Sequence, residues 1–183
     1  MAVIGWGKPT IVFSKYGNNA AWSKMQNPVQ DSTQLSTEKG NKTEALCEGG
    51  VVEDVKYDKN KYSLAMTIRV KKGATQPIPH DDGVVNDEYV VALQPEDPAV
   101  PGILIQKSHV SVEDGWASSD GTTFIYTFDA LVPDDESNQV KHGVIGITAN
   151  QQTGAVSAVT ITQLGENSAK TVSPSDGSLT AAG

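Results

Sequence analysis

Between Tyr62 and Val70 every second residue is large and apolar: Tyr62, Leu64, Met66, Ile68 and Val70 are interleaved with Ser63, Ala65, Thr67, Arg69 and Lys71. A period of two collects one set on a single face of an extended chain, whereas a helix would scatter the same residues around its axis. The segment reads as a strand with one buried and one solvated face.

Other stretches repeat the pattern. Residues 51–57 place Val51, Val55 and Tyr57 on one side, and Asp58-Lys59-Asn60-Lys61 supplies a polar turn, so 51–57 and 62–71 are expected to pair as a hairpin. An earlier hairpin is expected where 33–37 and 43–47 flank Glu38-Lys39-Gly40-Asn41-Lys42, a stretch with Gly and Asn available for positive φ. Residues 10–15 form a shorter strand. Residues 88–94 hold Tyr89, Val90, Val91, Ala92 and Leu93, an apolar run that reads as a buried strand, with a short helix as the alternative. Residues 103–112 start with Ile103 and Ile105 on one face and end with Val110 and Val112 on the other, a phase slip that a β-bulge explains. Strict alternation returns at Phe124, Tyr126, Phe128, Ala130 and Val132 after Asp120-Gly121, giving a second long hairpin. A last pair, 144–148 and 155–162, is joined by Asn150-Gln151-Gln152-Thr153-Gly154. Such a succession predicts a mainly β fold, an antiparallel sandwich or barrel of about eight strands with at most one short helix.

Seventeen Gly and nine Pro in 183 residues, with 38% hydrophobic content, suit many short strands joined by turns. One domain is expected over residues 1–164. Residues 165–183 are small and polar and predict a flexible C-terminal tail. The longest internal loop, 73–83, contains Pro77, Pro79, His80, Asp81 and Asp82.

Little in the chain points to chemistry. His80, Asp81 and Asp82 are consecutive and cannot converge on one metal from a regular strand, and His109 and His142 have no partner at ligand spacing. The carboxylate pairs Glu53-Asp54, Asp87-Glu88, Glu113-Asp114 and Asp134-Asp135-Glu136 fall mostly at turns, where solvated or capping acids are ordinary. Neither a Gly-x-Ser-x-Gly elbow nor a phosphate-binding Gly-rich loop is present. The expectation is a protein without catalysis, cofactor or metal. Cys47 is the single cysteine, so no intrachain disulfide forms, and it reads as a small buried strand residue. Fourteen basic against twenty-two acidic side chains give a formal charge of −8, which repels a phosphate backbone and argues against tight nucleic-acid binding. Residues 1–9 lack the basic start and apolar core of a secretion signal, and no stretch approaches the roughly 20 apolar residues of a membrane helix. A reducing cytoplasm and no membrane anchor are expected. Trp6, Trp22 and Trp116 raise one alternative, a carbohydrate-binding or adhesion-type sandwich with an aromatic platform.

Five stretches resemble the phage tail tube protein family, whose fold is shared with the tube protein of type VI secretion systems. They are Gly5-Trp6-Gly7-Lys8-Pro9-Thr10; Ser32-Thr33-Gln34-Leu35 leading to Glu48-Gly49-Gly50-Val51; the hairpin ending Tyr62-Ser63-Leu64; Val91-Ala92-Leu93-Gln94-Pro95-Glu96-Asp97-Pro98 before Gly102-Ile103; and Asp120-Gly121 leading to Phe128-Asp129-Ala130-Leu131. The resemblance covers about residues 5–148. It implies a structural subunit that assembles with copies of itself, and with other tail components, into stacked hexameric rings around a channel. DNA or an effector would pass through without being held, in a virion tail or a phage-like particle of prophage origin. Within that reading Glu38, Glu44, Glu48, Glu53 and Asp54 are the candidate channel-facing carboxylates. The segment Lys39, Gly40, Asn41, Lys42 and the loop residues Pro77, Pro79, His80, Asp81 and Asp82 are the candidate ring-to-ring contacts.

Overall fold

The computed structural model describes Ile4 and residues 6–182; Gly5, at the head of the first stretch quoted above, lies outside the described residues, as does Gly183. The described residues form thirteen strands and no helix: β1 Thr10–Lys15, β2 Ser23–Lys24, β3 Gln34–Glu38, β4 Lys42–Leu46, β5 Val52–Tyr57, β6 Lys61–Arg69, β7 Val84–Gln94, β8 Gly102–Ala117, β9 Gly121–Ala130, β10 Val140–Ala149, β11 Val156–Gln163, β12 Lys170–Val172 and β13 Leu179–Ala181. All pairings are antiparallel, and the sheet does not close into a barrel.

The architecture turns on β8. One of its edges pairs with β7. The other changes partner: Gly102 to Ile105 face β10, and Ser108 to Ala117 face β9. At the change the β7 register slips, with Tyr89 opposite Ser108 but Val91 opposite Ile105, so β8 carries one extra residue around Gln106 and Lys107. This is the expected bulge. It brings Ile105, Val110 and Val112 into one core despite their opposite parity.

From the fork two sheets diverge. One runs β2-β1-β7-β8-β10-β11-β12-β13, and the other leaves β8 through β9 and β6 to β3. Between them lies the main core, where Ile11, Phe13, Tyr89 and Val91 meet Leu64, Met66, Ile68, Tyr126 and Phe128. The first sheet is buried on its far face as well. Val12, Val90, Ala92 and Leu104 pack there with Trp22, Ile145, Val159, Ile161 and Val172. Burial on both faces is why residues 89–93 are continuously apolar rather than alternating.

Two expected pairings are corrected. β5 does not pair with β6, nor β3 with β4. Instead β3 pairs with β6 and β4 with β5, in one constant register from Gln34↔Ala65 through Glu38↔Lys61 and Lys42↔Tyr57 to Ala45↔Asp54. The four strands are one long ribbon. Gly40 is a point of close approach between the two chains rather than a turn: its amide bonds Asn60 Oδ1 at 3.0 Å, and a Cβ there would lie 1.9 Å from Asp58 O. The real turn is Glu48-Gly49-Gly50, with φ of 91° and 76° at the glycines. β8–β9 and β10–β11 are hairpins as expected.

The expected flexible tail is also corrected. Residues 170–182 hold β12 and β13, Val172 is fully buried, Ser14 Oγ donates to Pro174 O at 2.6 Å, and the Gly17 amide donates to Ser175 O at 3.2 Å. Little of this is legible in composition, because the docking is made by backbone carbonyls and only two apolar side chains, Val172 and Leu179.

Phe128 and Thr127 are neighbours on opposite faces of β9. Phe128→Ala is expected to cost about 3–5 kcal/mol, and Thr127→Ala less than about 0.5 kcal/mol, read by urea denaturation. Similar costs for both would contradict the facing.

Candidate assembly interface

The ribbon beyond Glu38 and Lys61 leaves the sandwich as an arm. Every residue of β4 and β5 is exposed except the half-buried Val55. Ten residues of strand from Glu38 to the turn reach about 30 Å. By register one face of the arm carries Leu46, Val52, Val55 and Tyr57, with Leu46 61% and Tyr57 55% exposed. A two-stranded ribbon is marginal in water without something against its apolar face. Lys39 Nζ lies 5.4 Å from the Tyr57 ring centroid, and Lys42 pairs with Glu44, so the base of the arm is braced locally.

Charge along the arm is polarised. Residues 43–55 carry Glu44, Glu48, Glu53 and Asp54 with no Lys or Arg, while Lys39, Lys42, Lys56, Lys59 and Lys61 lie toward the base. Four of the five sequence-derived channel carboxylates therefore sit on the outer part of the arm, and Glu38 sits at its root. Cys47, read from sequence as a buried strand residue, is exposed at the tip, its thiol 3.4 Å from Val51 O. The Glu-Gly-Gly turn, once recognised as the apex, would have put it there.

The opposite end of the same sheet has the complementary character. β6 ends at Arg69, opposite Thr123 near the start of β9, and the Val70 amide bonds Thr122 O. This end presents exposed Trp116, Val70, Lys71 and Lys72, and residues 69–76 contain no carboxylate. Arg69 pairs with Asp120 at 2.6 Å across the β8–β9 turn.

Between the two ends lies the outward face of β3, β6, β9 and the second half of β8. Register gathers Gln34, Ser36, Ser63, Ala65, Thr67, Thr123, Ile125, Thr127 and Ser111 there, with Glu38, Glu113 and Asp129 as its acids and Lys61, Arg69 and His109 as its bases. Small hydroxyl side chains make this face flat. Of the sequence-derived carboxylates only Glu38 shares it. Glu113 and Asp129 were missed, although alternation from Val112 and Phe128 marks both as outward.

The loop 73–83 is not a projection. Ile78 is fully buried and its carbonyl accepts from Tyr126 Oη at 3.5 Å. His80 is turned inward: Nδ1 accepts from the Gly83 amide at 2.9 Å, Nε2 faces Asp114 Oδ1 at 3.0 Å, and the ring packs edge-on against Phe124. Pro77 is half-buried, and Pro79, Asp81 and Asp82 are exposed on the docked loop. Of the expected ring contacts, Lys39, Gly40, Asn41 and Lys42 lie at the base of the arm. Trp22 is in the second core, so the three tryptophans make no shared platform.

A cleft of about 780 Å³ opens between Trp6, Pro28, Leu35, Leu93 and Glu96, and a smaller one lies between Tyr62 and His142. Among the described residues no three His, Cys, Asp or Glu side chains gather as metal ligands. The carboxyls of Asp120, Asp135 and Asp176 are held below their ordinary range, by Arg69, by Ser137 and by Ser178 respectively, the direction opposite to that of a general acid. No protein-family model matches the chain, and no characterised protein matches it in sequence.

The Asp120 pair gives a test with a definite sign. A carboxyl depressed in the folded state stabilises above its unfolded value of 3.8, and that contribution is lost as pH falls through the lower folded value. An NMR titration is expected to place Asp120 below 3.8, and Arg69→Gln to return it there. An Asp120 midpoint indifferent to that substitution would exclude the pairing.

Proposed function

We propose that this protein is a structural subunit of a phage or phage-like tail tube, stacking as hexameric rings around a channel through which DNA or an effector passes. The observation that carries the reading is the polarity of the molecule: an acidic, apolar-faced arm at one end of a sheet and an apolar, basic surface at the other. Such ends are complementary between copies. Head-to-tail contact of this kind is heterologous and propagates instead of closing on a dimer. The arm of one copy brings Leu46, Val52 and Tyr57 with Glu48, Glu53 and Asp54 to the Trp116, Val70, Lys71 and Lys72 surface of the next. Burial of the apolar groups supplies the attraction, and the charges fix which end meets which.

Lateral closure has its own supports. β3 forms one edge of the second sheet, and residues 85–87 of β7, between the Asp81–Val84 bridge and the end of β1, lie at the other edge. Joining those edges around a ring continues the sheet from copy to copy and satisfies the backbone groups an edge leaves open. The flat hydroxyl face then lines the lumen. Glu38, Glu113 and Asp129 lie on it with Lys61, Arg69 and His109, and a hydroxyl-rich wall on which acids offset the bases gives phosphate little to dwell on.

The test separates the two ends. Leu46→Asp with Val52→Asp on the arm, and Lys71→Glu with Lys72→Glu opposite, are each expected to raise the concentration needed for assembly at least about tenfold, the equivalent of about 1.4 kcal/mol. Sedimentation velocity and negative-stain electron microscopy supply the readout. Mixing the Lys71→Glu, Lys72→Glu chain with a Glu48→Lys, Glu53→Lys, Asp54→Lys chain is expected to restore mixed assemblies. Assembly indifferent to all these changes, or a chain that stays monomeric at millimolar concentration, would overturn the reading.

A further inference from the structure

The fork in β8 holds a buried polar network that assembly does not use. Gln106, at the bulge, is 2% exposed and Lys141, on β10, is 7% exposed. Their strands are locked in register by Val140↔Ile105. Lys141 Nζ is in direct contact with Gln106 Oε1, and it donates to Ser137 Oγ at 2.6 Å and to Asn138 O at 3.2 Å. All three acceptors are neutral. Ser137 Oγ in turn donates to Asp135 Oδ1 at 2.5 Å and lies 3.3 Å from Gln106 Oε1. The other end of the Gln106 amide is fixed as well, Nε2 donating to Gly177 O at 2.7 Å.

This is an amine and a carboxamide held against each other in a site with little water, beside a hydroxyl wired to a carboxylate. Burial pushes the Lys141 pKa down, with Asp135 opposing, so the neutral amine is more accessible than on a surface lysine. A desolvated lysine is a competent nucleophile toward a carbonyl carbon, and fixed proximity removes most of the entropic barrier to attack.

We propose that Lys141 and Gln106 join in an intramolecular isopeptide bond, a covalent staple between β10 and β8. The proton separating the lysine ammonium from the amine passes through Ser137 to Asp135 and on to solvent. Nζ then attacks Cδ of Gln106; the Nζ–Cδ bond forms and the carbonyl electron pair moves onto Oε1, within reach of the Ser137 hydroxyl. As the carbonyl re-forms, the Cδ–Nε2 bond breaks. Nε2 takes one proton from Nζ, relayed through Ser137, and departs as ammonia. No oxidant or cofactor enters, and the product is the chain less one ammonia. The staple lies where β8 changes partner, so it locks β10 to β8 at the end of their short ladder.

Intact mass spectrometry of the denatured wild-type chain is expected to read one ammonia below the sequence mass, and a digest to contain the peptide bearing Gln106 joined to that bearing Lys141. Lys141→Arg restores the full mass, and Ser137→Ala slows the appearance of the joined form. Because the wild-type mass decides by itself, a misfolded variant does not blunt the test. A full sequence mass after prolonged incubation of the folded protein, or an ammonia loss mapped to an asparagine with no joined peptide, would overturn the proposal. Neither result depends on whether the arm assembles.

Discussion

One strand serving two partners along the same edge is the constraint on which the rest of this molecule rests. β8 can pair with β10 and then with β9 only if its chain inserts a residue between them, and the bulge at Gln106 and Lys107 does so. The insertion resets parity, so that Ile105 and Val110 reach the same core from opposite phases of the strand. It also leaves backbone groups without ladder partners. Tyr16 Oη donates to the Gln106 carbonyl at 2.5 Å, and the Leu131 amide donates to Lys107 O at 2.9 Å. Without the fork there is no second sheet, and without that sheet neither the flat outward face nor the root of the arm exists.

Legibility in the sequence followed burial. Where one face of a strand is buried, as in β6 and β9, period-two alternation names the strand and its inward residues. The bulge was visible for the same reason. Partner choice was not. The ribbon from Gln34 to Ala65 offers two plausible turns, at 38–42 and 58–61, as well as Glu48-Gly49-Gly50, and local turn chemistry cannot rank them. The choice is made by Leu35 and Leu64, which sit opposite each other at the edge of the core and set the register for the whole ribbon. The docking of β12 and β13 was hidden for a different reason, since its hydrogen bonds run through the Pro174, Ser175 and Gly177 carbonyls and only Val172 and Leu179 give it apolar side chains.

The candidate interface was legible only in part. Glu44, Glu48, Glu53 and Asp54, the expected channel-facing carboxylates, lie together on the arm formed by β4, β5 and their turn. What the sequence could not offer was the placement of these charges at opposite ends of one sheet. That Arg69, Lys71 and Lys72 face away from the arm depends on β6 being a single nine-residue strand with the arm at its start. Buried His80 is the converse case, a polar loop residue whose exposure was assumed and whose side chain is held by Gly83, Asp114 and Phe124.

The central claim is that the apolar face of the arm is covered by a second copy. Amide hydrogen exchange over residues 42–57, compared between dilute monomer and concentrated assembled protein, tests it most directly. The arm's amides are predicted to exchange rapidly in the monomer while β6 and β9 stay protected, and to gain strong protection on assembly. Arm exchange that is equally fast in both states, or already fully protected in the monomer, would contradict it.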